Sequence, residues 1–189
     1  LAGSVKWLTT DCRETLERAS ARETAARVAA TCVGRLILKE IFGVEVFGFV
    51  RSILDARTEV KVLPGNHREL VVARNASDTY TLDTQTTEKQ CSIIRQAKID
   101  KDTVGGDVEC HVFGCPPGVG TSMNWYDKLD ARIAYAVMGI QAFKAVQIGL
   151  GAECSKQLGS QVHDPIRFDA SKIEEPSLGF VRSRIDGNK

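Results

Sequence analysis

Ser20-Ala21-Arg22-Glu23, followed by an apolar run at helical spacing, constrains this chain more than any other feature. A serine with a glutamate three residues on marks a capped helix start: the hydroxyl accepts from an early backbone N–H and the glutamate reaches back. Ala25, Ala26, Val28, Ala29, Val33, Leu36, Ile37 and Ile41 then recur with the helical period, and Gly43 is a natural stop. The pattern predicts a long helix over 21–42, well buried, with alanines that permit close packing. At 189 residues the chain is long enough to build a core around it.

Downstream, Val44, Val46 and Phe47 to Ile53 predict a strand rich in β-branched and aromatic residues. From Asp55 to Asp83 the signal weakens. Pro64-Gly65-Asn66 is a turn, Leu70 to Ala73 fits a short strand, and the polar stretch after it reads as a surface loop. A second, more polar helix is expected over 84–100, half covered, with Cys91, Ile94, Ala97 and Lys98 on one side. Thr103 to Phe113 is a strand candidate, because Val104, Val108, Cys110 and Val112 alternate with Asp107, Glu109 and His111. After a Pro-Gly turn over 114–120, Asp127 is placed to cap a third helix carrying Leu129, Ile133, Val137 and Ile140. Phe143 to Leu150 reads as a strand, and the chain beyond Gly151 as loop. Helices and strands alternate irregularly, which leaves α/β and α+β both open.

A net charge of +1 gives no general pull toward nucleic acid or anionic membrane, so an anion site must be local. No apolar run approaches the roughly 18 to 20 residues of a membrane span. Six cysteines are scattered without a CxxC pair, which predicts reduced thiols in a cytosolic setting rather than a disulfide frame or a zinc site. The chemistry points to the opening of the first helix. Helix starts expose unpaired N–H groups and a partial positive charge, and an arginine fork matches phosphate oxygens. Arg18 and Arg22 flank that opening, with Arg13 upstream and the Ser20 hydroxyl between them. Spacing alone leaves two readings: an anion cradle, or a solvated start whose arginines pair with Glu14, Glu17 and Glu23. Gly114–Gly120 is no P-loop, since no Gly-Lys-Ser/Thr follows. His163-Asp164 would suit an acid–base pair, although sequence neighbours seldom face each other, and a loop histidine is the alternative.

Four stretches resemble the chorismate synthase family, in the correct order. The run from Leu16 to Ala30 is similar to a signature block almost residue for residue. Asp102-Thr103-Val104-Gly105-Gly106 with Pro117-Gly118-Val119-Gly120, then Lys128 to Lys144 with Ile148-Gly149, and finally Gly159 to Asp164 resemble later blocks. The likeness covers about 15–163, and 55–81 matches poorly, as an insertion or loop within a single partial domain of residues 1–189.

The resemblance implies an α+β sandwich with long helices between antiparallel sheets. It implies a carbon–oxygen lyase converting 5-enolpyruvylshikimate 3-phosphate to chorismate and phosphate in the shikimate pathway. Reduced FMN would be the cofactor and NADPH a candidate reductant. The assembly would be a homotetramer, cytoplasmic, or plastidic in a plant-like source, with neither nucleic acid nor membrane as partner. Arg18, Ala19 and Ser20 match one flavin-binding segment, and Gln141 and Ala142 match a second. The family's Ser-His-Gly motif is expected before Leu1, and its Ala-Gly-Gly and Arg-His-Asp-Pro segments after Lys189. His67, His111 and His163 match no catalytic histidine, so no catalytic residue is assigned. Thr31 and Ala145 stand where glycine is usual, Gln147 where glutamate is, Ala152 where phenylalanine is, and Pro165 where glutamate is common. A β-carbon in place of glycine predicts strain wherever the backbone needs positive φ. The resemblance thus fits a portion of the enzyme that is inactive alone. The alternatives are a non-catalytic paralogue that works through a partner chain, and a generic phosphate-binding module.

Overall fold

Strand β1 (Glu45–Ile53) organises the better-packed part of the molecule. In the computed structural model, which describes residues 1–175 and 177–182, it lies between β2 (Ala56–Arg57) and β3 (Gly106–Phe113), antiparallel to both. The sheet's two faces follow from the period-2 alternation. Phe47, Phe49 and Arg51 are buried on one face, where Phe47 and Phe49 pair in register with His111 and Glu109. Val46, Gly48 and Val50 lie on the other, opposite Val112, Cys110 and Val108. The alternation in β3 is therefore oriented by its polar set: Glu109 and His111 turn inward, and Val108 and Val112 face outward, exposed. Arg51 explains this, because its buried guanidinium requires a carboxylate across the strand pair. Gly106 begins β3 where a β-carbon would collide with the Ser52 carbonyl, which only glycine avoids.

Phe47, Phe49, Val62 and Leu82 form the core, with Val60, Leu70, Val71 and Phe113 packed against it. Most of these apolar groups come from 55–83, a stretch of weak signal whose polar part after Ala73 is expected as a surface loop. Its Leu70–Ala73 run is not a strand but lies within helix α4 (His67–Ala76). Helical spacing places His67, Leu70, Val71 and Arg74 on one covered side while Val72 points to solvent. The loop's polarity is internal: Thr58 and Thr81 are fully buried, and the Thr58 hydroxyl donates to Asp83 at 2.5 Å. Asp83 also caps helix α5 (Thr84–Ile99), accepting from the Thr86 N–H at 2.7 Å. α5 buries Thr86 and Gln90, and the Gln90 amide donates to the Ala56 carbonyl at 3.0 Å. Ile94, expected on the covered side, is 40% exposed.

Residues 38–115 form one compact unit; residues 1–37 and 116–189 form a second. The second holds α1 (Ala2–Trp7), α2 (Arg13–Ala19), a 3-10 turn (Ala21–Glu23), the first part of α3 (Thr24–Phe42), and α6 (Leu129–Met138). It also holds α7 (Gly159–Val162) and the antiparallel pair β4 (Ile166–Phe168) and β5 (Phe180–Arg182). α3 stops as expected: Gly43, at φ 67, donates to Lys39, and Val44 donates to Leu38. Its expected burial is not found. No α3 residue is buried, and Val33, Leu36 and Ile41 are about 60% exposed or more than half so, because no described residue covers that face. Asp127 does not cap α6; it lies in a 3-10 turn and accepts from Asn124, and Lys128 holds the cap position. Residues 143–150 form no strand, and the expected terminal loop contains the β4–β5 hairpin. Every strand pair is antiparallel, so the architecture is α+β.

Candidate flavin-phosphate site

The opening of α3 is built by one serine with two tasks. Ser20 ends α2 in an extended conformation, and its hydroxyl accepts from the Arg22 N–H at 3.2 Å to start the 3-10 turn. Its carbonyl accepts from the Glu23 N–H at 3.1 Å. Only the serine half of the expected capping box forms. Glu23 does not reach back; its carboxylate accepts from Arg27 Nε one turn later, at 2.9 Å.

The arginines of this segment differ in their partners. Arg13 is held by Asp11, with Nη2 at 2.6 Å from the carboxylate, and Arg27 by Glu23. Among the described residues, the guanidiniums of Arg18 and Arg22 make no ion pair or hydrogen bond. Both side chains belong to exposed residues, Ser20 is half-buried, and no residue of the opening is buried. Neither Arg18 nor Arg22 pairs with Glu14, Glu17 or Glu23 among the described residues, and both stay in solvent. Two uncommitted forks beside a hydroxyl that retains its proton for donation suit a phosphate in shape and charge.

The second segment follows α6. Gly139 donates to Tyr135 and Ile140 to Val137, closing the helix, and Phe143 donates to Ile140 across a turn containing Gln141 and Ala142. Ala142 takes the left-handed conformation, φ 69, which costs an alanine about 1–2 kcal/mol. The Gln141 side-chain amide donates to the Arg18 carbonyl at 2.9 Å. Arg18–Ser20 and Gln141–Ala142, distant in sequence, are thus joined.

The histidines lie elsewhere. His67 Nε2 meets Glu45 at 2.9 Å and its ring stacks on Phe113; His111 Nε2 meets Glu109 at 2.7 Å. Both carboxyls are held down at about 2. For Glu45 the hydrogen bond from Arg68 is the main cause, followed by that from His67. For Glu109 it is the bond to His111, then that from Arg51. His163 and Asp164 form no acid–base pair: His163 is exposed, while the Asp164 carboxylate is buried with Arg182 Nη1 3.9 Å away. Three of the departures from the family pattern are accommodated. Ala145 has no positive φ, Thr31 turns its hydroxyl onto the Arg27 carbonyl at 2.8 Å, and Gln147 accepts from the Ala152 N–H at 3.0 Å. Cys12, Cys32, Cys91, Cys110 and Cys154 are free thiols, and no group of three metal-ligating residues occurs among the described residues. No helix there is long and apolar enough to cross a membrane.

These features define an α+β protein with a cationic helix opening tied to a turn from a second helix. The family model for chorismate synthase matches residues 1–184, beyond both ends of the four blocks. The chorismate synthase of Geobacter sulfurreducens is 44% identical over 183 residues, covering 96% of this chain and 46% of that protein. That of Oceanobacillus iheyensis is 45% identical over 170 residues, covering 89% and 43%. A crystal structure of chorismate synthase superposes with a TM-score of 0.87 at 35% identity, over 98% of this chain and 55% of that one. The chain belongs to the chorismate synthase family. It spans a little under half the length of the curated relatives it matches.

Proposed function

We propose that these residues are the flavin-phosphate-holding portion of an enzyme that converts 5-enolpyruvylshikimate 3-phosphate to chorismate and phosphate. The observation that carries this is the pair of guanidiniums, Arg18 and Arg22, that have no partner among the described residues and lie beside a half-buried serine hydroxyl. Arg18 and Ser20 would hold the phosphate of FMN, and Ala19, Gln141 and Ala142 would shape the space beside it. Reduced FMN supplies, when bound, the electron that assists loss of the substrate's phosphate. The chain's own part is to bind and orient that cofactor. NADPH as reductant, a homotetramer and a cytoplasmic setting belong to the same reading, with residues 1–189 as part of one catalytic domain.

The protein at its native length, given reduced FMN and substrate, should release chorismate and inorganic phosphate in equal amounts. No release under anaerobic conditions would end the proposal. The 189 residues alone should turn over nothing, and measured turnover by them would refute the need for the remainder of the relatives' length. A second reading, a non-catalytic paralogue that binds a partner chain, draws on the exposed apolar residues of α3 and the outer face of β1 and β3. Turnover by the native-length protein decides against it.

A further inference from the structure

Gln141 occupies a position that the flavin reading makes a cofactor contact, yet its side-chain amide is already engaged. Nε2 donates to the carbonyl of Arg18 at 2.9 Å, across 123 residues of sequence. That carbonyl lies in the last turn of α2, where carbonyls have no intrahelical partner and need one from outside. Ser20, two residues on, is fixed by its own bonds to Arg22 and Glu23. On the other side, Gln141 sits in the turn that holds Ala142 left-handed. One side-chain bond therefore fixes the separation of the two segments to which the reading assigns the flavin.

We infer that Gln141 is a positioning residue: it sets the place of Arg18 and Ser20 through the Arg18 backbone, and its amide nitrogen does not itself hold the cofactor. This rests on the flavin-phosphate reading and deepens it. A strut of this kind acts on the phosphate cradle and leaves the rest of the flavin's contacts alone. Its loss should weaken FMN and spare riboflavin, the same flavin without a phosphate. A direct contact with the ring would treat both alike.

The test is titration of the native-length protein, wild type and Gln141→Leu, with FMN and with riboflavin. Leucine keeps the bulk and removes the donor. The FMN dissociation constant should rise roughly fivefold, the effect of one neutral hydrogen bond, while that for riboflavin stays within about twofold. The melting temperature without flavin should move by no more than about 2 °C. Gln141→Asn, one methylene shorter but still an amide donor, should recover most of the FMN affinity and guards against a leucine variant that misfolds. Equal weakening of both flavins, or of neither, overturns the inference. A wild type that does not prefer FMN to riboflavin sinks the phosphate reading, and this inference with it.

Discussion

Arg51 and Arg18 show two uses of the same side chain. Arg51 is buried on the core face of β1, with its side chain 11% exposed and all of its side-chain nitrogens bonded. Nε and Nη2 grip the two oxygens of Glu109 at 2.6 and 2.7 Å, and Nη1 donates to the carbonyls of Thr58 and Val60. The guanidinium also lies over the Phe49 ring at 4.6 Å. Arg18 stands on an exposed helix end with no protein partner for its guanidinium among the described residues, although Glu14 and Glu17 are close in sequence. One cation is committed to the fold and adds nothing to recognition. The other is uncommitted among the described residues, and the proposed function gives it a ligand. Burial, more than residue type, separates the arginine that serves the fold from the one proposed for the cofactor.

If that contrast is right, damage to residues 38–115 should appear as instability. Phe47→Ala removes a ring only 2% exposed from the centre of the core, and it should cost about 4 kcal/mol in urea unfolding. A loss below about 1 kcal/mol would mean that the core lies elsewhere. Arg51→Ala leaves Glu109, which faces the core, with His111 as its remaining partner and frees two carbonyls. We expect a loss of about 3 kcal/mol, at the lower end for broken buried pairs because Glu109 keeps some contact with water. Were Arg51→Ala as stable as wild type, the comparison with Arg18 would lose its meaning.

The smallest effect is that of pH. The folded Glu109 carboxyl, at about 2, lies below its ordinary value of 4.5, so folding favours its ionised form. The resulting stability is fully present above about 4.5 and is lost as pH falls toward about 2. Unfolding midpoints at pH 7, 4 and 2.5 should decline in that order, and Glu109→Gln should flatten the decline. An unchanged slope in the glutamine variant would assign the acid sensitivity to other carboxyls, such as Glu45.

Local elements were largely legible in the sequence. α3, β1, α5 and β3 appear close to their expected places, because capping residues, glycine stops and periodicity are properties of adjacent residues. What could not be read depends on partners far along the chain. Thr58, Thr81 and Gln90 look like surface residues, yet they are buried, because Asp83 and the Ala56 carbonyl reach two of them. Leu70 to Ala73 is an apolar run too short to distinguish strand from helix, and only its placement against Phe113 and the core decides for α4. The face of β3 was set by Arg51, which no alternation within β3 could show. At the site, the arginine cluster was visible from spacing, but the lack of partners for Arg18 and Arg22 among the described residues was not. The link between Gln141 and Arg18 had only one advance signal, the assignment of both segments to one cofactor.

The most direct test compares two neighbouring arginines at the site. FMN titrations of the native-length protein should show Arg18→Ala binding at least tenfold more weakly than wild type, as for a charge-assisted hydrogen bond, with unfolding unchanged. Arg13→Ala, which removes only the exposed pair with Asp11, should bind FMN as wild type does. Equal affinities for wild type and Arg18→Ala, or equal losses in the two variants, would contradict the assignment of the uncommitted guanidinium to the cofactor's phosphate.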